Sequence, residues 1–118
     1  MINKLILFFL LSFFYSIAIS EEYDFWCSGE LTVTEKNRFE KSKIKQQIVI
    51  KNNRLFIPGM MMFCNKNSFV FECSVKRLDS IWVGRLDIKK KTFWYYSNNV
   101  FQNRTQKFVS LCKEKRHR

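Results

Sequence analysis

From Tyr23 onward the chain alternates. Tyr23, Phe25, Cys27, Leu31 and Val33 are apolar, Asp24, Ser28, Glu30, Thr32 and Thr34 interleave with them, and Trp26 is the large exception. Residues two apart share one face of an extended strand, so this pattern predicts a strand with one buried side. The period returns further on. Ile44, Ile48 and Ile50 alternate with Lys43, Lys45, Gln47 and Lys51, and Asn52-Asn53 then marks a turn before "RLFI". Phe69, Phe71, Cys73 and Val75 alternate with Ser68, Glu72, Ser74 and Lys76, and Trp82, Gly84, Leu86 and Ile88 share a face opposite Arg85 and Asp87. Two closing strands are expected at "TFWYYS" and at about Gln106 to Lys113, separated by an Asn98-Asn99 turn and a polar loop. No window after residue 20 repeats at the helical period.

Strands joined by short turns give an antiparallel meander. With about seven of them in a small domain, the expected fold is all-β, a small closed barrel or a two-sheet sandwich, the barrel preferred.

The first 20 residues read differently. One charge, Lys4, precedes an apolar run from Leu5 to Ile17, and Ala18-Ile19-Ser20 then leads into Glu21-Glu22. Small residues placed before a cut after Ser20 mark a cleaved secretory signal, and the run is shorter than the roughly 20 apolar residues of a membrane anchor. Residues 1–20 are therefore expected to be removed, 21–112 to form one domain and 113–118 a basic tail. The protein is expected to be exported, to a bacterial periplasm or an extracellular space, and not to span the membrane after cleavage.

Export decides what the cysteines mean. Cys27, Cys64, Cys73 and Cys112 all lie in the exported part, and an even count in a small exported chain reads as two disulfides. The intervening stretches of 36, 8 and 38 residues contain no close pair of the kind a structural zinc site uses. Three pairings are open. If the barrel closes, its first and last strands become neighbours, which favours Cys27 with Cys112 and leaves Cys64 with Cys73.

Candidate chemistry is sparse. The single histidine, His117, stands next to last in "KEKRHR", so a Ser-His-Asp or Cys-His system has no base on the body of the domain. The carboxylates sit at polar-face or loop positions beside lysines, and there is no glycine-rich phosphate loop. In "IPGMMMFC", Met60 and Met62 share a face, but two thioethers without a third soft or imidazole ligand nearby make a poor copper site. The plainer reading is a strand entry pinned by Cys64, with Met60 and Met62 as a candidate apolar wall of a ligand pocket. No enzyme activity, metal or cofactor is expected.

Charge points elsewhere. Without Lys4 the chain carries 20 Lys and Arg against 10 Asp and Glu, about +10, concentrated on residues 36–45, on Lys89-Lys90-Lys91 and on the tail. That excess is well beyond what solubility asks of a small domain and suits an anionic partner: an anionic lipid, a lipopolysaccharide phosphate or an acidic polymer. In "KKKTFWYY", Phe93 and Tyr95 face one way and Trp94 and Tyr96 the other, so one pair fills the core while the second is covered or exposed. Lys89, Lys90, Lys91, Trp94 and Tyr96 are accordingly the candidate ligand-binding residues. Export takes the protein away from nucleic acid, which argues against that partner. Asn103-Arg104-Thr105 is a glycosylation acceptor only in a eukaryotic host.

A cysteine on the first strand ("FWCSGE"), another on the last ("SLCKEK") and a meander between them resemble, in layout alone, the bacterial inhibitors of animal-type lysozyme. The Ser-Gly and Tyr loop motif of that family is not found here, and basic lysozyme would repel a basic inhibitor. No family is assigned on it. The expectation is a non-enzymatic binding module for an anionic or amphipathic envelope or extracellular ligand. Its alternative is a protein-interaction or structural factor of the envelope without a small-molecule ligand.

Overall fold

A computed structural model describes residues 22–115. The expected signal segment and the end of the basic tail, His117 included, lie outside the described residues. Eight strands follow one another: β1 (Glu22–Glu35), β2 (Arg38–Lys51), β3 (Arg54–Ile57), β4 (Met60–Asn67), β5 (Val70–Lys76), β6 (Ser80–Asp87), β7 (Thr92–Asn99) and β8 (Arg104–Glu114). Each pairs antiparallel with its neighbour in the chain, and β8 returns to pair with β1 and close the barrel. The fold is the expected all-β closed meander.

Eight strands replace about seven because Pro58-Gly59 makes a tight hairpin, pairing Ile57 with Met60, so that "RLFI" and the methionine stretch are separate strands. Three strand boundaries also differ from the expected ones. β2 begins at Arg38, ahead of the apolar alternation from Ile44, since Arg38–Lys43 are exposed on both faces and carry no alternation to read. Asn98 and Asn99 are the last residues of β7, and the turn is formed after them, with Asn103 at φ 49°. β8 also runs through Glu114, two residues past the expected domain end.

Turn chemistry fixes the register. Lys36 and Asn37 (φ 46° and 68°) and Asn52 and Asn53 (φ 54° and 58°) place both central residues in the left-handed region. This is the type I′ hairpin geometry, whose twist matches that of the flanking strands and which asparagine tolerates well.

The inward faces meet in one core. Phe25, Phe71, Phe93 and Phe108 are fully buried with Ile48, Ile50, Leu55, Met62 and Leu86. Each large apolar side chain so buried contributes about 2–3 kcal/mol. Tyr95 joins them with its ring centroid 5.4 Å from that of Phe108. Burial pushes the Tyr95 hydroxyl above its ordinary pKa, and the polar Gln46 side chain works in the opposite, weaker sense.

Two disulfides rivet this core: Cys27–Cys112 across the β1–β8 seam and Cys64–Cys73 across β4–β5, each joining directly opposite residues. Both are the pairing that closure favoured. Gly29, next along the inner face of β1, lets β8 approach so closely that a Cβ there would collide with the Val109 carbonyl oxygen.

The up-and-down order sorts the turns onto two ends. One carries the turns around residues 52–53, 68–69 and 88–91 together with Glu22 and Glu114; the other carries those at 36–37, 58–59, 77–79 and 100–103.

Candidate functional site

Lys89, Lys90 and Lys91 occupy the turn between β6 and β7, and that turn is held from three sides. Asp87 Oδ1 accepts the backbone N–H of Lys89 (3.0 Å) and of Lys90 (2.9 Å). Ile88 N–H donates to the Phe69 carbonyl at 2.9 Å, and the Lys91 carbonyl accepts from Cys112 N–H at 2.8 Å. Three adjacent like charges would repel one another in a loose loop. Here the backbone is pinned to the neighbouring turn and to a disulfide cysteine, which fixes where the three charges leave the chain.

The turn borders an apolar mouth. Tyr23, Phe25, Phe69 and Ile88 line a pocket of about 290 Å³ with Lys89, Lys91 and Glu114 at its edge. Phe69 is 51% exposed, and Lys89 Nζ lies 5.4 Å from its ring centroid. Lys66 Nζ stands 5.7 Å from the ring of Phe71 in the same end of the barrel. A cation over an aromatic face is attracted by the ring quadrupole and covers part of the ring without neutralising the charge.

Trp94 and Tyr96 point out of the barrel wall, 39% and 40% exposed, while Phe93 and Tyr95 fill the core. The register sets Trp94 opposite Val109, with Leu111 opposite Thr92 at the next outward position toward the lysine turn. Leu111 is 71% exposed and shares a surface groove with Trp26, Lys45, Lys113 and Lys115. Lys45 Nζ sits 5.2 Å from the Trp26 ring centroid. The lysine turn, the aromatic mouth and the Trp26–Leu111–Trp94 wall thus form one basic and apolar surface on the seam side of the barrel.

Not every candidate residue belongs to it. Met62 is sealed in the core beneath Gly84 and presents nothing to a ligand, which corrects its reading as a pocket wall. Met60 is half-buried at the opposite end, beside Trp82 and Arg104. Alternation put Met60 and Met62 on one shared face, but burial depth depends on how strands stagger around the barrel, which alternation does not record. Phe69, Trp26 and Leu111 were not candidates. Trp26 alone had a signal, as the large apolar residue breaking the polar phase of its strand.

Among the described residues no three His, Cys, Asp or Glu side chains converge as a metal site would require. Several carboxylates are engaged in structure: Asp24 accepts from Gln47 Nε2 (3.0 and 3.2 Å), Asp87 holds the lysine turn and Glu30 lies 3.6 Å from Lys41 Nζ. No protein-family model, curated protein or solved structure matches this chain.

Proposed function

We propose that this protein is a non-catalytic binding module for an anionic, amphipathic ligand of an oxidising, extracytoplasmic compartment. The carrying observation is the pinned Lys89–Lys91 turn set directly beside the Tyr23–Phe69–Ile88 mouth, which offers charge for a head group and apolar surface for a chain within one contact. The adjoining Trp26, Trp94, Val109 and Leu111 wall enlarges the apolar part beyond what scattered surface residues give. Two disulfides in a small domain support the compartment.

Flotation with vesicles of phosphatidylglycerol and of phosphatidylcholine tests the reading. Anionic vesicles should carry the protein and release it as salt rises, while neutral ones should carry little. Equal absence from both would end it.

One observation favours a protein partner instead. β2 pairs with β3 only at Val49–Lys51, so its stretch from Arg38 to Ile48 keeps an open ladder edge. Such an edge can take up a partner strand. A pull-down from envelope extract returning one stoichiometric protein whose binding is lost on placing proline at Lys43 would support that reading.

A further inference from the structure

At the end of the barrel away from the lysine turn the inner face changes character. On β7 the inward series runs Phe93, Tyr95, Ser97, Asn99, and on β8, read toward the same end, Phe108, Gln106, Arg104. Ser97 and Ser80 are buried there although no apolar packing needs them. A barrel that only had to be filled would continue with apolar side chains, because buried hydroxyls and amides cost stability unless each finds a partner.

The polar residues surround a cavity of about 230 Å³, with Arg77 and Arg104 on its wall and Trp82 and Met60 as its apolar side. Its one carboxylate, Asp79, is already committed: Oδ1 accepts from Ser80 Oγ (3.3 Å) and Oδ2 from Asn99 Nδ2 (3.5 Å). Trp82 Nε1 donates to Ser80 Oγ at 3.3 Å, which fixes the indole in the wall. Neither arginine has an ion-pair partner among the described residues. Glu35 lies across the β1–β8 ladder from Arg104 yet makes no pair with it. Arg104 Nε is buried and lacks a hydrogen-bond partner among the described residues. A buried guanidinium nitrogen without an acceptor is costly, and the acceptor that matches its planar fork is a carboxylate or a phosphate.

We propose that this cavity is a second binding site, distinct from the lysine-turn surface, and that it takes a small organic anion. The carboxylate or phosphate lies between Arg77 and Arg104, and the body packs on Trp82 and Met60. The cavity holds about eight water volumes, room for a body the size of a single ring.

Titration followed by the indole N–H signals in proton–nitrogen NMR tests this, with benzoate and glucose 1-phosphate as probes and benzyl alcohol and glucose as uncharged counterparts. A W82F variant assigns the Trp82 signal. The expected result is a saturable shift of Trp82 alone at about millimolar anion, with Trp26 and Trp94 unmoved. A response to only one anion names the head group. R104Q should weaken binding about tenfold or more, and R104K, which keeps charge without the fork, should fall between. If R104Q does not fold, R77Q carries the comparison. No shift of Trp82 with either anion up to about 10 mM, an equal shift in R77Q and R104Q, or equal binding of the uncharged counterparts would overturn the proposal.

Discussion

Cys27 and Cys112 stand directly opposite one another on the first and last strands, and their bond lies inside the barrel at the seam where β8 meets β1. Cys64 and Cys73 are also opposite one another, but on consecutive strands. The sequence separations are 85 and 9 residues. In the chain-entropy account the long link restricts the unfolded chain more, contributing about 4–5 kcal/mol against about 2–3 kcal/mol for the short one. Paired Cys→Ser variants at the two sites, compared by urea unfolding, should show the Cys27–Cys112 pair costing about 2 kcal/mol more.

Gly29 gives a sharper test of the seam. A methyl group there meets backbone, the Val109 carbonyl and the Ser110 Cα, so relief requires the strands to part. At Gly84 the nearest atoms are the Met62 Cε and the Trp94 carbonyl oxygen, both at 3.3 Å, and the Met62 chain end can move. Gly29→Ala should therefore cost about 3 kcal/mol in chemical denaturation, whereas Gly84→Ala should stay within about 1 kcal/mol of the wild type.

Tyr95 links stability to alkaline pH. Its folded pKa is raised by burial, so the folded protein keeps the phenolic proton more tightly than the unfolded chain. This contribution is complete below the unfolded value of about 10 and is lost as pH rises through the folded pKa. Stability measured from about pH 9 upward should fall more steeply for the wild type than for Tyr95→Phe, and equal slopes would remove Tyr95 as the cause.

The lysine turn makes a separable prediction about binding. Lys89→Ala and Lys91→Ala should each weaken attachment to anionic vesicles by about fivefold, equivalent to about 1 kcal/mol per lysine near a charged surface, with a shallower salt dependence. Phe69→Ala removes apolar contact and should weaken binding while leaving that salt dependence unchanged. Vesicle sedimentation over a salt series distinguishes the two effects.

Much of this was legible because alternation records which side chains face a core. Parity separated Phe93 and Tyr95 from Trp94 and Tyr96 without saying which pair is buried, and closure of a meander paired Cys27 with Cys112. β2 shows where the signal stops: Arg38–Lys43 lie over no core, and a strand with two solvated faces has no apolar period. The proposed sites were only half visible. Lys89–Lys91 announced themselves by charge, but Phe69 comes beside them from a different hairpin. Arg77 and Arg104 line one cavity only because the closed barrel brings the β5–β6 turn and the start of β8 to the same end. Nothing in either local sequence carries that information.

The seam disulfide also decides how the molecule bears load. Tension applied at Glu22 and Lys115 enters β1 and β8 at the same end and passes directly between Cys27 and Cys112. The 85-residue span between those cysteines, about 290 Å of extended chain, is thereby taken out of the line of force. Until that one bond is reduced, the barrel can be pulled on without being unravelled.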